Sequence, residues 1–308
     1  MSLPSAGSEP ASERSDVSAI SSGWFGQKTP LEARWAAVER QDTPLLVCLH
    51  GGGYDNRYFD APRCSLLCQA SAAAFGVVSL SRPGYPADDD SARRQPSFSQ
   101  AAEIIADVVT HIWDQLGEGR PGIVLIGHSI GAAIAIHVAA KKVSWPLIGL
   151  AISSVCDSLA PVVVELIGQL PTDVALSMPG DLIRPLFYGP DWTLNTTTLA
   201  DVADLPVSTP SADLVELNTS WADDLPKVAS RVEVPLHYVL AEFDGLWETS
   251  AERVATIAGL FSRAPFVEAS FWRGVGHNIE HHRLGEAYGR AVLAFAERCA
   301  VETDRPKA

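Results

Sequence analysis

The sequence predicts an α/β fold in which a mostly parallel sheet is flanked by helices. Short apolar runs rich in β-branched residues recur along the chain and alternate with longer segments of helical periodicity. The runs are continuously apolar, which is typical of strands that are buried on both faces. Strands that alternate with helices favour a parallel sheet with right-handed crossovers.

The individual elements follow from these patterns. Five runs are predicted as buried strands, at residues 44–50, 76–81, 122–127, 147–154 and 235–241. The clearest helix spans residues 97–117, with Ser97 or Ser99 as its N-cap and Gly117 at its end. A closing helix is predicted over residues 284–300.

One segment, residues 156–230, interrupts this alternation. It contains no clear strand, and its apolar groups are separated by turns that contain proline. Short amphipathic helices fit this pattern best. We therefore expect a core formed by residues 21–155 and 231–300, with residues 156–230 inserted over the carboxyl edge of the sheet.

Composition restricts the partners. The 308 residues carry a formal net charge of −14 and no basic cluster longer than two residues, which argues against nucleic acid and anionic membrane surfaces. No run reaches the roughly 18 apolar residues of a membrane span. Residues 1–20 lack the basic start and apolar centre of a signal peptide. We expect a disordered leader at 1–20, a tail at 301–308, a small-molecule substrate and a cytoplasmic location, and the oligomeric state stays open.

Residues 124–131, VLIGHSIG, place a serine directly between a buried strand and an alanine-rich helical run. Gly-x-Ser-x-Gly in this context is a nucleophile elbow. The sharp turn needs small neighbours two residues before and after the serine, and Gly127 and Gly131 meet that need. The amino-terminal end of the following helix favours developing negative charge. Ser129 is therefore the predicted nucleophile.

A serine nucleophile needs a base, and the base needs an orienting acid. Both should follow the serine along the chain. His277 lies after Gly276 and before the last predicted helix, and Asp244 follows a strong strand by a few residues. We predict His277 as the base and Asp244 as the acid. Asp157 and Glu242 remain alternatives for the acid.

Two more histidines, His281 and His282, lie close to His277 and are expected at the start of the last helix. Together with Glu280 they form an alternative metal-ligand cluster, although no H-E-x-x-H pattern is present. The five cysteines are scattered, with neither redox nor zinc spacing. We expect neither a metal nor a cofactor.

Acyl transfer also needs donors for the developing oxyanion. Residues 50–53, HGGG, directly follow the first predicted strand, and glycines allow close approach of the backbone to a substrate. We predict the backbone N–H of Gly52, with Gly53 next, and that of Ile130 as the oxyanion hole. An ordinary glycine turn is the alternative for this stretch.

Taken together, these motifs resemble those of the α/β-hydrolases, in family order between about residues 40 and 300. The matching stretches are HGGG at 50–53, SRPGY at 81–85, GHSIG at 127–131, AEFDGLW around Asp244 and GVGHN around His277. The resemblance implies an eight-stranded sheet, a helical cap inserted after the sixth strand, and a serine-nucleophile branch that needs no cofactor. Many members have Asp in place of Ser81 and Gly in place of Ala132, and neither departure affects the three predicted catalytic residues.

The resemblance narrows the function to chemistry that a serine nucleophile supports. We expect a serine hydrolase that cleaves a small to medium apolar ester or lactone through an acyl-enzyme on Ser129. One alternative is a thioesterase, cyclase or acyltransferase that acts on a carrier-bound acyl chain, and another is a non-catalytic, hydrolase-like binding protein. The substrate pocket is expected to include Gly53, Tyr54, His128, Phe187, Trp192 and Trp247.

Overall fold

The computed structural model of the protein describes residues 19–38, 40–86, 90 and 93–305. Most of the leader expected at residues 1–20 and the end of the expected tail, residues 306–308, lie outside these ranges.

A single main sheet forms the centre of the fold. Its strands are β1 (Ser21–Phe25), β2 (Leu31–Ala36), β3 (Leu45–Leu49), β4 (Val77–Leu80), β5 (Ile123–His128), β6 (Leu147–Ser153), β9 (Leu236–Phe243) and β10 (Val267–Gly276). They lie side by side in the order β1-β2-β4-β3-β5-β6-β9-β10. Strand β2 pairs antiparallel with β1 and β4, and every other pair is parallel. The predicted α/β class with a mostly parallel eight-stranded sheet is confirmed.

Alternate side chains of the central strands form two apolar layers. On β3, Leu45 and Leu49 pack on one face of the sheet, and Leu46 and Cys48 pack on the other. Helices α2 (Phe98–Leu116) and α3 (Ile130–Ala139) cover the first face, and α9 (Ala251–Leu260) adds to the same layer. Helices α1 (Leu66–Ala72) and α10 (Gly285–Thr303) cover the second face. Because the central strands are parallel, their carboxyl ends lie at the same edge of the sheet, which is where ligand-binding loops are found in folds of this class.

The two long helices agree with their predicted positions. The hydroxyl of Ser97 accepts the N–H of Gln100, and the Gln100 side chain accepts the N–H of Ser97, so a capping box begins α2. The helix ends at Gly117 as predicted. Helix α10 begins at Gly285 and continues to Thr303, three residues beyond the predicted end. Within the described ranges, none of the helices is long and apolar enough to cross a membrane.

The segment between β6 and β9 is mainly helical and lies over the carboxyl edge of the sheet. Its α-helices are α4 (Pro161–Gly168), α5 (Gly180–Ile183), α6 (Thr198–Asp201), α7 (Ser211–Thr219) and α8 (Trp221–Ala229). A π-helical turn (Arg184–Tyr188) and a 3-10 turn (Asp191–Thr193) connect α5 to α6. The segment is not free of strands as expected, because β7 (Ala175–Leu176) and β8 (Thr209–Pro210) pair antiparallel. We call residues 156–230 the cap.

Candidate active site

Ser129 occupies the sharp turn between β5 and α3. Strand β5 ends at His128 and α3 begins at Ile130, so Ser129 is the single residue between them. Its φ of 54° and ψ of −121° are uncommon for a residue with a side chain, and such backbone strain is concentrated at functional sites. A Cβ atom on Gly127 would lie 2.6 Å from the Ala132 Cα, and one on Gly131 would collide with the Leu49 carbonyl. Both glycines are therefore required by the turn.

His277 and Asp244 form a buried pair at the ends of β10 and β9. The His277 Nδ1 atom lies 2.8 Å from the Asp244 Oδ2 atom, and the two side chains are 1% and 0% exposed. The other carboxylate oxygen of Asp244 accepts the N–H groups of Leu246 (2.9 Å) and Trp247 (3.2 Å). These donors fix the carboxylate, so Nδ1 of His277 carries the proton and Nε2 is left as an acceptor.

The His277 ring lies beside the elbow. It packs edge-on against the ring of His128, the residue before Ser129, at 4.9 Å between centroids. It also packs against Phe187, which shares a pocket wall with Ser129, at 5.5 Å. Among the described residues, no hydrogen bond joins the Ser129 hydroxyl to His277, whose side chain is bonded to Asp244. Catalytic hydrogen bonds of this kind commonly tighten when a substrate binds.

The two alternative acids make other contacts. Asp157 pairs with Arg253 at 3.0 Å near the surface. The Glu242 carboxylate accepts the backbone N–H of Gly274 at 2.9 Å. Only Asp244, of these three carboxylates, is hydrogen-bonded to His277.

His281 and His282 do not begin the last helix, contrary to expectation. His281 ends a 3-10 turn (Ile279–His281) that precedes α10, and His282 follows it. The His281 ring is hydrogen-bonded to the Tyr188 hydroxyl (3.1 Å) and the Tyr58 carbonyl (3.2 Å). The His282 ring accepts the N–H of Gly276 (2.9 Å) and contacts the Thr193 hydroxyl (3.1 Å). All four ring nitrogens therefore have partners within the protein, and one of these bonds joins His282 to Gly276, the residue before His277.

Burial lowers the pKa of both His281 and His282 to about 4, so both rings are neutral at ordinary pH. In the part of the chain that the structure describes, no three His, Cys, Asp or Glu side chains are arranged to hold a metal ion.

The predicted oxyanion-hole residues lie next to one another. A Cβ atom built on Gly52 would lie 3.0 Å from the Cδ1 atom of Ile130, and both residues line the same pocket as Ser129. Ile130 is the first residue of α3, where backbone N–H groups have no partner within the helix. Gly53 adopts a φ of +75°, which favours glycine.

A cavity of about 380 Å³ lies over Ser129, between the sheet edge and the cap. The core contributes Gly52, Gly53, Tyr54 and Ile130 to its wall. The cap contributes mainly aliphatic groups, among them Val163, Leu166, Ile167, Leu182, Leu186 and Phe187. The cavity is therefore suited to an apolar group attached to the atom that Ser129 attacks.

Three of the predicted pocket residues lie outside this lining. The His128 side chain is buried outside the cavity, where its Nδ1 atom lies 3.2 Å from the Ser153 hydroxyl and its ring stacks on Tyr58. Trp192 is 61% exposed, with its ring edge-on against Phe243. Trp247 is buried beside Asp244, to which its backbone N–H donates. Gly53, Tyr54 and Phe187 do line the cavity.

Other residues that line the cavity were not predicted from the sequence. The omitted residues include Leu170, Met178, Pro206 and Val207 in irregular stretches of the cap, Leu176 in β7, Thr209 in β8 and Leu214 in α7. Most of these residues are apolar, but irregular stretches and two-residue strands have no period that indicates which side chains face inward.

The comparison with protein families agrees with this fold. A model of the alpha/beta hydrolase family matches residues 46–289, a range that includes Ser129, Asp244 and His277. The chain belongs to the alpha/beta hydrolase family, a class of hydrolytic enzymes.

Individual relatives are distant. The chain is 28% identical over 117 residues to protein phosphatase methylesterase 1 of Mus musculus, which covers 38% of this chain and 29% of that protein. It thus spans less than a third of the length of that curated relative.

Two solved structures share the fold. A carboxyl esterase from Bacillus coagulans in complex with glycerol has a TM-score of 0.67 at 16% identity, covering 92% of this chain and 99% of that one. A soluble variant of the monoglyceride lipase from Saccharomyces cerevisiae has a TM-score of 0.66 at 12% identity, covering 95% and 99%.

Proposed function

We propose that this protein is a serine hydrolase that cleaves a small to medium apolar ester or lactone through an acyl-enzyme on Ser129. The buried His277–Asp244 pair beside the elbow is the observation on which this proposal depends. It supplies an oriented base, and the apolar cavity over Ser129 supplies a place for the substrate. A protein that only binds a ligand needs the cavity but not the pair.

In the acylation step, the Ser129 hydroxyl oxygen attacks the carbonyl carbon and its proton passes to His277 Nε2. The carbonyl electron pair moves to the oxygen, which the N–H groups of Gly52 and Ile130 stabilise. Asp244 stabilises the imidazolium that has formed. The tetrahedral intermediate then collapses, and the leaving alcohol takes the proton from His277.

The acyl-enzyme is released by the same groups. A water molecule gives its proton to His277 and attacks the acyl carbon, and collapse returns the proton to the Ser129 oxygen. Every proton and electron pair is accounted for by the three side chains, the substrate and water, so the cycle needs no further reactant.

The cavity and the relatives support an ester rather than a strongly charged substrate. The lining is almost entirely aliphatic, aromatic and glycine residues. The mouse relative is named as a methylesterase, and the structural neighbours as a carboxyl esterase and a monoglyceride lipase. The thioesterase and acyltransferase alternatives use the same acyl-enzyme, so the leaving group and the acceptor decide between them.

A substrate panel tests the proposal. We expect p-nitrophenyl esters of increasing acyl length to give a burst of one p-nitrophenol per active site, followed by turnover. Lactones and acyl thioesters measured beside them rank the leaving groups. Saturable binding of these esters without any burst or turnover would instead favour a binding protein.

The cap should select among acyl chains. Leu182 lines the cavity, so Leu182→Trp would fill apolar volume that a longer acyl group needs. We expect kcat/KM for octanoate to fall by about 10-fold or more while that for acetate stays within about threefold, because losing contacts with apolar groups costs this much. The comparison of p-nitrophenyl acetate with p-nitrophenyl octanoate measures it.

Trp192→Ala is the matched control for this prediction. Trp192 is also an apolar cap residue, but it is exposed and lies outside the cavity, so its removal should leave the acyl-length profile unchanged. An equal loss for both esters in Leu182→Trp would mean that the cap does not hold the acyl group.

Activity should also survive the removal of metal ions. The proposed proton transfers involve only side chains, substrate and water, and the ring nitrogens of His281 and His282 have partners within the protein. Ester turnover after exhaustive dialysis against 1,10-phenanthroline should equal that before dialysis. Loss of turnover that zinc restores would contradict the proposed chemistry.

A further inference from the structure

A buried ion pair connects the core to the cap beside the active site. Arg82 lies in the loop after β4, and Asp213 lies in α7 of the cap. Their side chains are 0% and 1% exposed, and Arg82 Nη2 lies 3.0 Å from Asp213 Oδ2. The same carboxylate accepts the Tyr85 hydroxyl (2.8 Å) and the Gln95 amide (3.0 Å).

This pair is poorly explained by stability alone. A buried ion pair offsets the cost of its desolvation only when its remaining polar groups are also hydrogen-bonded. Among the described residues, Arg82 Nε and Nη1 have no hydrogen-bond partner. The pair is therefore better explained by the groups that it holds in place.

Arg82 controls the Gly51 carbonyl in two ways. Its backbone N–H donates to His50 Nε2 at 2.9 Å, so the proton of the neutral ring is on Nδ1, which donates to the Gly51 carbonyl at 2.7 Å. Burial and the Arg82 charge hold the pKa of His50 well below its usual range, which keeps the ring neutral. The Arg82 guanidinium reaches the same carbonyl at 3.5 Å.

The direction of the Gly51 carbonyl fixes the direction of the next N–H group. The one cis peptide bond in the described ranges is Tyr85–Pro86, so the bond between Gly51 and Gly52 is trans. In a trans peptide the C=O and N–H groups point in opposite directions. With the carbonyl held toward His50 and Arg82, the Gly52 N–H is directed to the opposite side, and Gly52 itself faces the cavity beside Ile130.

The cap holds the same loop at a second point. The backbone N–H of Val207, just before β8, donates to the Gly53 carbonyl at 2.8 Å. Val207 and Asp213 flank β8. This short part of the cap therefore contacts the glycine loop at residues 51–53 twice, directly from Val207 to Gly53 and indirectly from Asp213 through Arg82 to Gly51.

From these contacts we infer that Arg82 is a positioning residue for the oxyanion hole, and that Asp213 makes this positioning depend on the cap. The inference rests on the proposed function. Arg82 does not line the cavity and touches no substrate. It acts by aiming the Gly52 N–H at the place where the carbonyl oxygen becomes negative. Its contribution therefore belongs to the transition state and not to substrate binding.

Arg82→Lys is the sharpest variant for testing this. It keeps the buried charge opposite Asp213 and the backbone bond to His50. The lysine side chain is one bond shorter, however, so its ammonium does not take the place of Nη2, the single nitrogen that contacts both Asp213 and Gly51. Asp213→Asn is a second variant that removes the charge from the cap side. Arg120→Lys is the matched control. Arg120 also donates to backbone carbonyls, those of Thr43 and Leu116. Thr43 precedes β3, so this contact lies at the amino-terminal edge of the parallel strands, away from the active site.

Four constants separate a positioning role from an effect on pocket shape. They are kcat and KM for p-nitrophenyl butyrate, the inhibition constant of a trifluoromethyl ketone of matching length, and that of the corresponding secondary alcohol. Ser129 adds to the ketone and forms an oxyanion, whereas the alcohol only fills the cavity. All values are referred to the active sites counted by complete labelling with a fluorophosphonate, so a loss of folded protein does not enter them.

In Arg82→Lys and Asp213→Asn we expect kcat to fall by about 10- to 100-fold, below the cost of removing an oxyanion donor altogether. The ketone should weaken by a similar factor, while KM and the alcohol constant stay within about threefold. Arg120→Lys should change none of the four constants.

Weakened alcohol binding with unchanged kcat would overturn the inference and make Arg82 a pocket-shaping residue. Unchanged constants in both variants would overturn it as well. Either result leaves the proposed function standing if the wild type turns over the ester, whereas a wild type with neither burst nor turnover overturns the proposed function and this assignment together.

Discussion

Ser129→Ala is expected to lower ester turnover by about 10⁴-fold or more, because the nucleophile, base and acid act as a unit. The variant should fold normally, since the methyl group of alanine fits where the serine Cβ already lies in the strained turn. A fluorophosphonate probe should label the wild type once, on Ser129, and should not label the variant. Intact-protein mass spectrometry counts the label, and the initial rate with p-nitrophenyl butyrate measures the turnover.

Ser79→Ala is the control for this experiment. Ser79 is a fully buried serine in β4, and its hydroxyl has no hydrogen-bond partner among the described residues. Its removal tests the general effect of deleting a buried serine hydroxyl and should change neither labelling nor turnover. Persistent labelling of Ser129→Ala at wild-type stoichiometry would exclude Ser129 as the nucleophile.

The parts of the fold that the sequence predicts are those with a strong local signal. Strands β3, β5 and β6 are buried on both faces, so their continuous apolar runs are unmistakable. Strands β1 and β10 lie at the two edges of the sheet. They are partly exposed and mix polar with apolar residues, which removes the apolar run on which the prediction depends.

The elbow and the His277–Asp244 pair were also accessible from sequence. The elbow is encoded within five consecutive residues, since both glycines are needed for steric reasons. The acid and the base follow strands whose carboxyl ends lie at one edge of a parallel sheet, so chain order alone brings them together.

The pocket and the contacts around it were harder to predict, for three separate reasons. His128 is next to Ser129 in the sequence, but its side chain contacts Ser153 and Tyr58 and does not line the cavity. Trp192 is a large aromatic residue, which favours a buried position. It lies in a 3-10 turn of three residues, too short for a periodic pattern that would indicate its exposure. The pairing of Arg82 with Asp213 joins residues 131 positions apart in the sequence, and no local pattern indicates such a pair.

Asp244→Asn is expected to lower turnover by about 10⁴-fold while leaving the fold intact. In the wild type, the N–H groups of Leu246 and Trp247 donate to the Asp244 Oδ1 atom. The asparagine carbonyl oxygen can accept both of these N–H groups in the same way. That arrangement turns the amide NH₂ group toward His277 Nδ1. Because an NH₂ group donates, Nδ1 must become the acceptor and the ring proton moves to Nε2, the atom that should take the proton of Ser129.

The measurement compares kcat for p-nitrophenyl butyrate, the rate of fluorophosphonate labelling and the thermal unfolding midpoint in Asp244→Asn and in Asp157→Asn. Asp157 is a matched control, since it also lies just after a strand end but pairs with Arg253 near the surface. We expect both the turnover and the labelling rate to collapse in Asp244→Asn alone, with unfolding midpoints that stay within a few degrees of the wild type. Labelling should slow because the probe, like the substrate, needs the serine proton removed. A greater loss in Asp157→Asn would show that the acid comes from the end of β6 and that the 2.8 Å contact between His277 and Asp244 is not the one used in catalysis.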